Sequence, residues 1–178
     1  MGVIFVAGVH GVGKTTACAY AARSLGLAHY SASGLIKSEK TSAIPEQGKT
    51  VFDVEGNQAL LIRGVEKACG QHQGRIILDG HFTLLKLDGR IEAVAIEVFS
   101  SLSLNGVVVY HDEPAAIAER LHKRDGENHS VDVIARHQDS ELAHAQLVAA
   151  ELGLPLELLS AFDSDGLIAT MSRWWWSK

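Results

Sequence analysis

The sequence predicts an α/β fold in three layers, with a five-stranded parallel sheet covered by helices on both faces. Three observations lead there. Short β-branched runs alternate with longer helical segments, which demands crossover connections between parallel strands. Most of the runs are apolar nearly throughout, as strands buried on both faces are. A glycine-rich turn joins the first run directly to the first helix, the place where such folds hold ligands.

The elements follow in order. VIFVAG, Val3 to Gly8, is the first strand, and Lys14 to Leu25 the first helix. AHYSAS, Ala28 to Ser33, is the second strand. The segment Ile36 to Glu55 is polar, carries Lys37, Lys40 and Lys49, and lacks periodicity, so it is set apart from the core as an insertion able to close over a ligand. A helix over Asn57 to Gly70 leads to the third strand, RIILDG, Arg75 to Gly80, and a helix over Ala93 to Leu102 leads to the fourth, GVVVYHD, Gly106 to Asp112. The helix Pro114 to Lys123 has proline in its first turn behind Asp112 and Glu113, a regular start signal. RDGENHS, Arg124 to Ser130, is a polar break suited to a short mobile flap. The long helix Val131 to Leu152, the strand PLELLS, Pro155 to Ser160, and a helix over Asp165 to Trp175 complete the chain.

A chain of 178 residues fits one domain. Its formal charge of -5 argues against general nucleic-acid binding, which needs a basic surface. Cys18 and Cys69 are the only cysteines and lack metal-ligand spacing, so a reducing, cytoplasmic setting is expected. No apolar stretch approaches the roughly 18 residues of a membrane span, and MGVIFVAG reads as a buried strand, not a signal. The terminal RWWW, Arg173 to Trp176, is expected either to make a dimer contact or to tuck under the core, so Trp174, Trp175 and Trp176 leave a homodimer open.

GVHGVGKT, Gly8 to Thr15, meets every fixed position of the phosphate-loop pattern G-x-x-x-x-G-K-[ST] and lies between a strand and a helix. Its glycines let backbone N–H groups turn inward, and the helix start adds a positive dipole end. Gly8, His10, Gly11, Val12, Gly13, Lys14, Thr15 and Thr16 are therefore the expected phosphate-binding residues. Lys14, read as an exposed loop lysine, reaches the terminal phosphates. Thr15 offers its hydroxyl to Mg²⁺, and Asp79, at the end of an apolar strand, is the second metal-side group. His81 lies two residues on, able to position an acceptor or an attacking water. Arg120 and Arg124 stand one turn apart before the flap, where guanidinium groups can neutralise a phosphoryl group in flight. Arg136, beyond the flap, can join them. The nine histidines form no metal-binding pattern.

These residues resemble the small P-loop adenylate kinases of the archaeal type and the eukaryotic nuclear adenylate kinase-like ATPases. The likeness runs in order through VAGVHGVGKTT, GLAHYSASGL, IILDGHF, GVVVYHDEPAAIAERLHKRD and IARHQDSELAHAQLVAAELGLPLELL. The resemblance implies a nucleoside monophosphate kinase fold of strand order 2-3-1-4-5, one domain over residues 1–178, an acceptor-binding insertion at about 34–73 and a short lid at about 120–136. It implies MgATP as donor and AMP as acceptor, and in some relatives ATP hydrolysis and a role in ribosome assembly. Gly34 stands where the nuclear branch tends to carry an acid, and residues 36–55 offer lysines but no arginine, leaving Arg63 as the nearest acceptor clamp. Three functions stay open at this point: a nucleotide kinase, a kinase of another small metabolite, and an ATP-hydrolysing switch or assembly ATPase in which His81 serves hydrolysis.

Overall fold

A computed structural model describes residues 2–42 and 54–176. β1 (Gly2–Ala7) is the middle strand and is buried along its whole length. It pairs in parallel with β3 (Arg75–Asp79) on one side and with β6 (Leu104–His111) on the other. β2 (Ala28–Ser31) flanks β3, and β7 (Leu156–Ser160) flanks β6. Counting these five strands alone, the order is 2-3-1-4-5. The register ends with Val6 beside Asp79 and Ala7 beside Val109, so the carboxyl ends of the three central strands open at one edge of the sheet.

Alternate residues of β1 point to opposite faces, and the core divides accordingly. Ile4 and Val6 pack with Ala17 and Ala21 of α1 (Lys14–Leu25), Ile117 and Leu121 of α5 (Pro114–Asp125), and Leu167 and Met171 of α7 (Ser164–Trp176). Val3, Phe5 and Ala7 pack with Val65 of α3 (Val54–Gln71), Phe99 of α4 (Ile96–Ser100) and Val148 of α6 (Val131–Leu152). On that second face Phe5, Phe82 and Phe99 lock together, with ring centroids 5.0, 5.4 and 4.5 Å apart. None of the described helices is long and apolar enough to cross a membrane.

Three segments differ from the sequence reading. The second strand stops at Ser31 because the Ser31 hydroxyl accepts the Gly34 N–H, and α2 (Ala32–Ser42) begins at once. Polar α2 is held by its neighbour: Leu35 sits against Gly64, and Glu39 pairs with Lys67 at 2.7 Å. Residues 43–53 of the expected insertion, Lys49 included, lie outside the described residues. The helix expected over 93–102 is shorter. Its start belongs to an antiparallel hairpin of β4 (Thr83–Leu85) and β5 (Ile91–Ala93), and only Ile96–Ser100 is helical.

The tryptophan-rich end turns inward. Trp175 lies in the core beside α1, and the ring of Trp174 covers Gly106 of β6, whose absent Cβ is what admits it. Arg173 pairs with Glu157 of β7 at 2.6 Å. The side chain of Trp176 lies outside the description. Gly106→Ala should therefore overpack this contact and lower unfolding stability by about 1–3 kcal/mol in urea titrations, and Trp174→Leu added to it should restore part of the loss.

Candidate functional site

The phosphate loop runs from β1 into α1. Gly13 caps the helix with φ 95°, a conformation that disfavours side chains, and an added Cβ would also strike the Phe162 ring. The loop is braced from two directions. On one side, Arg120 donates through Nε to the Gly11 carbonyl at 2.8 Å, pairs with Asp112 at 2.6 Å and lies over Phe162, 5.2 Å from its centroid. On the other side stands Glu141 of α6, 1% exposed.

Glu141 is the principal site residue that the sequence reading missed. Its Oε1 accepts the Gly8 N–H at 3.2 Å and the Phe82 N–H at 2.9 Å. Its Oε2 accepts the Thr83 N–H at 2.7 Å and the Thr83 hydroxyl at 2.6 Å. A buried carboxylate is tolerated only with such a complete set of donors. The spacing of Ile134, His137, Glu141, Ala145 and Val148 along α6 is the signal that could have found it, since it places Glu141 on the buried stripe.

Lys14, expected at the surface, is only 6% exposed. Its ammonium lies 3.5 Å from the Val9 carbonyl and 3.5 Å from His81 Nε2. Burial lowers the lysine pKa, and the charges of Asp79 and Glu141 partly oppose that shift. Burial, followed by the nearby Lys14, His10 and His137, pushes the His81 pKa down to about 2. The ring is neutral at physiological pH, with Nε2 facing the Lys14 ammonium and Nδ1 buried 3.8 Å from Glu141 Oε1, too far for a hydrogen bond. The expected role of His81 narrows accordingly: such a ring can position a partner but is a weak base. His10 is tilted on His81 with centroids 4.5 Å apart.

Asp79, at the end of β3, is buried, and its Oδ2 lies 2.6 Å from His29 Nε2. Thr15 and Asp79 supply the oxygen donors that Mg²⁺ prefers, on the same cavity wall as Lys14. Cys18, His29 and Asp79 also place one ligand atom each within 4.8 Å of one another, but burial pushes the Cys18 thiol up and favours its protonated form.

Two cavities meet at the loop. One, of about 380 Å³, is lined by Gly11, Gly13, Thr16, Arg120, Arg124 and Phe162. The other, of about 540 Å³, opens between the ends of β1 and β3, helices α2 and α3, and the hairpin. His10, Lys14 and Thr15 line both. The structure thus brings Arg120 and Arg124 to the loop with Lys14, and Asp79 and His81 to the other side of it. Arg63 and Arg136 are exposed and line neither cavity.

A parallel sheet of this order with a phosphate loop at its carboxyl edge defines a P-loop nucleotide-binding fold. Residues 7–137 match the model of the family described as "AAA domain", and the chain belongs to that family. Curated proteins give no match. Among solved structures, a gluconokinase from Sinorhizobium meliloti 1021 is 18% identical with TM-score 0.53, the likeness covering 94% of this chain and 87% of that one. An uncharacterized protein from Eubacterium ventriosum ATCC 27560 is 11% identical with TM-score 0.53, covering 99% and 98%. At these identities the likeness establishes the fold.

Two measurements test the electrostatics. Glu141→Gln removes one acceptor oxygen and turns an amide toward donors, so unfolding stability should fall by about 2–4 kcal/mol in urea. For His81, an unfolded histidine protonates near 6.5 while the folded ring stays neutral down to about 2. The unfolded state therefore binds more protons below pH 6.5, and stability drops as pH falls, by about 2 kcal/mol from this group at pH 5. His81→Gln should flatten that part of the stability-against-pH curve.

Proposed function

We propose that this protein is an ATP-dependent phosphotransferase that moves the γ-phosphoryl group of MgATP to a small acceptor. The observation that carries this reading is the pair of cavities sharing Lys14 and Thr15. A protein that only hydrolyses or senses ATP has no need of a second cavity of about 540 Å³ on the far side of its phosphate-loop lysine.

In this reading the loop N–H groups and the α1 N-terminus hold the triphosphate in the first cavity. Lys14 exchanges the Val9 carbonyl and His81 for phosphate oxygens. Before the triphosphate arrives, neutral His81 keeps Lys14 aimed at the boundary between the cavities, and it gives way without competing for the phosphate charge. Arg120 keeps the loop in shape from behind. Arg124, exposed and paired among the described residues with Asp125 at 3.0 Å, can swing onto the phosphates as the 124–130 segment closes over them. Thr15 and Asp79 hold Mg²⁺, which neutralises phosphate charge when bound. Closure excludes water and favours transfer over hydrolysis. AMP is the acceptor that the resemblance to adenylate kinases supplies, and an unphosphorylated metabolite is the alternative on the same scaffold.

Incubation with MgATP and a panel of nucleoside monophosphates and unphosphorylated metabolites tests the reading. ADP formation that depends on an acceptor supports it; equal phosphate release with no acceptor present would replace it with an ATPase. Lys14→Met, which keeps the buried stem and removes the charge, should lower turnover at least a hundredfold with little change in thermal stability. Arg124→Ala should lower it ten- to a thousandfold, and an unchanged rate would remove Arg124 from the mechanism.

A further inference from the structure

We infer that the second cavity takes an uncharged, ring-bearing alcohol and disfavours phosphate monoesters. This inference rests on the phosphotransferase reading and narrows its acceptor.

The walls carry the argument. One side of the cavity is apolar, formed by Phe5, Leu61, Val98 and Phe99. Phe5 and Phe99 are locked into the Phe5–Phe82–Phe99 cluster and at most 2% exposed, so they make a rigid floor, while the half-buried Ile36 and Leu61 offer the accessible apolar surface on which a ring can lie. The polar side chains added by α2, α3 and the end of β2 are Ser31, Ser33, Asn57 and Gln58, all neutral. Hydroxyl and amide groups of this kind recognise hydroxyls and ring nitrogens.

The charges point the same way. Among the described lining residues Lys14 is the one permanent cation, and it also serves the donor cavity. No arginine lines the described wall, and Asp79 adds a carboxylate beside Lys14. A phosphate dianion entering here would lose its water to an apolar wall and gain no guanidinium fork from the described residues in exchange. A hydroxyl loses far less on desolvation and can donate a hydrogen bond at that edge. The volume of about 540 Å³ falls within the range of pockets that enclose a drug-sized molecule.

With the ring against Ile36 and Leu61 and the hydroxyl toward Lys14, the alcohol oxygen faces the boundary where the γ-phosphate ends. The new bond joins that oxygen to the γ-phosphorus while the bond from the γ-phosphorus to the β,γ-bridging oxygen breaks. ADP leaves, and the hydroxyl proton passes to solvent by way of the phosphate oxygens.

The test uses the full chain loaded with a non-hydrolysable ATP analogue and Mg²⁺, so that Lys14 is already engaged. Binding is read by ligand-observed NMR and calorimetry for matched pairs: adenosine and AMP, cytidine and CMP, phenyl glucoside and its 6-phosphate. We expect at least one uncharged member to bind tenfold or more tightly than its monoester. Gln58→Arg, which supplies the missing guanidinium at a half-buried wall position, should narrow that ratio at least tenfold. Monoesters binding as well as or better than their partners, or no uncharged probe binding to the loaded chain, would overturn the inference. Failure of the ATP analogue itself to bind overturns the phosphotransferase reading beneath it, and is seen separately in the loading step.

Discussion

The geometry of the site depends on a single buried carboxylate. Glu141 collects hydrogen bonds from the first residue of the phosphate loop and from the two residues that lead from β3 toward the hairpin. These segments are remote in sequence, and besides strand pairing and ring contacts it is this carboxylate that ties them by hydrogen bonds. An uncompensated carboxylate in such a place would cost several kcal/mol, so the four donors and the ion specify one another. The consequence is geometric: the loop that faces the first cavity and the chain that borders the second are fixed to the same carboxylate on α6. The relative placement of the two cavities is therefore set before either is filled.

On that frame the site is arranged to be completed by an anion. Lys14 is buried beside a neutral histidine and a carbonyl, and its burial penalises its own charge. Asp79 and Glu141 offset part of that penalty, yet one carboxylate is engaged by His29 and the other by four donors. A phosphate chain placed over the α1 N-terminus supplies the missing counter-charge. The buried charge thus favours an anion at the loop for a reason separate from the shape of its glycines.

Much of this was legible in the sequence, and the parts that were not share a cause. The phosphate loop was legible because its backbone path needs glycine at set positions and a lysine behind them. Strands β1, β3 and β6 were legible because a sheet covered on both faces leaves no room for polar residues. Helix α2 was not, since it is polar and owes its place to Leu35 on Gly64 and Glu39 on Lys67, partners contributed by α3. The hairpin escaped because β4 places Leu84 and Leu85 side by side in exposed positions, so no alternation marks it, although Asp88–Gly89 is a recognisable turn. The burial of Lys14 and Glu141 was hidden by residue type: both normally belong to surfaces, and only the stripe on α6 gave Glu141 away.

The two arginines of α5 show how one turn of helix separates support from motion. Arg120 is held by a carbonyl, a carboxylate and an aromatic face, three partners on three different loops, so its guanidinium cannot leave without loosening the phosphate loop. Arg124 has an exposed neighbour, Asp125, whose carboxylate is itself held low by the Glu127 N–H, with Arg124 and His129 adding to the effect. An exposed pair of this kind contributes little stability, on the order of 0–1 kcal/mol, so trading it for a phosphate chain is nearly free. Gly126, with φ 77°, ends α5 immediately after this pair and lets the chain turn away to Ser130 at the start of α6. The exposed arginine thus lies in the last turn of the helix, four positions from the one held in place, and the same α6 that receives the turn carries Glu141.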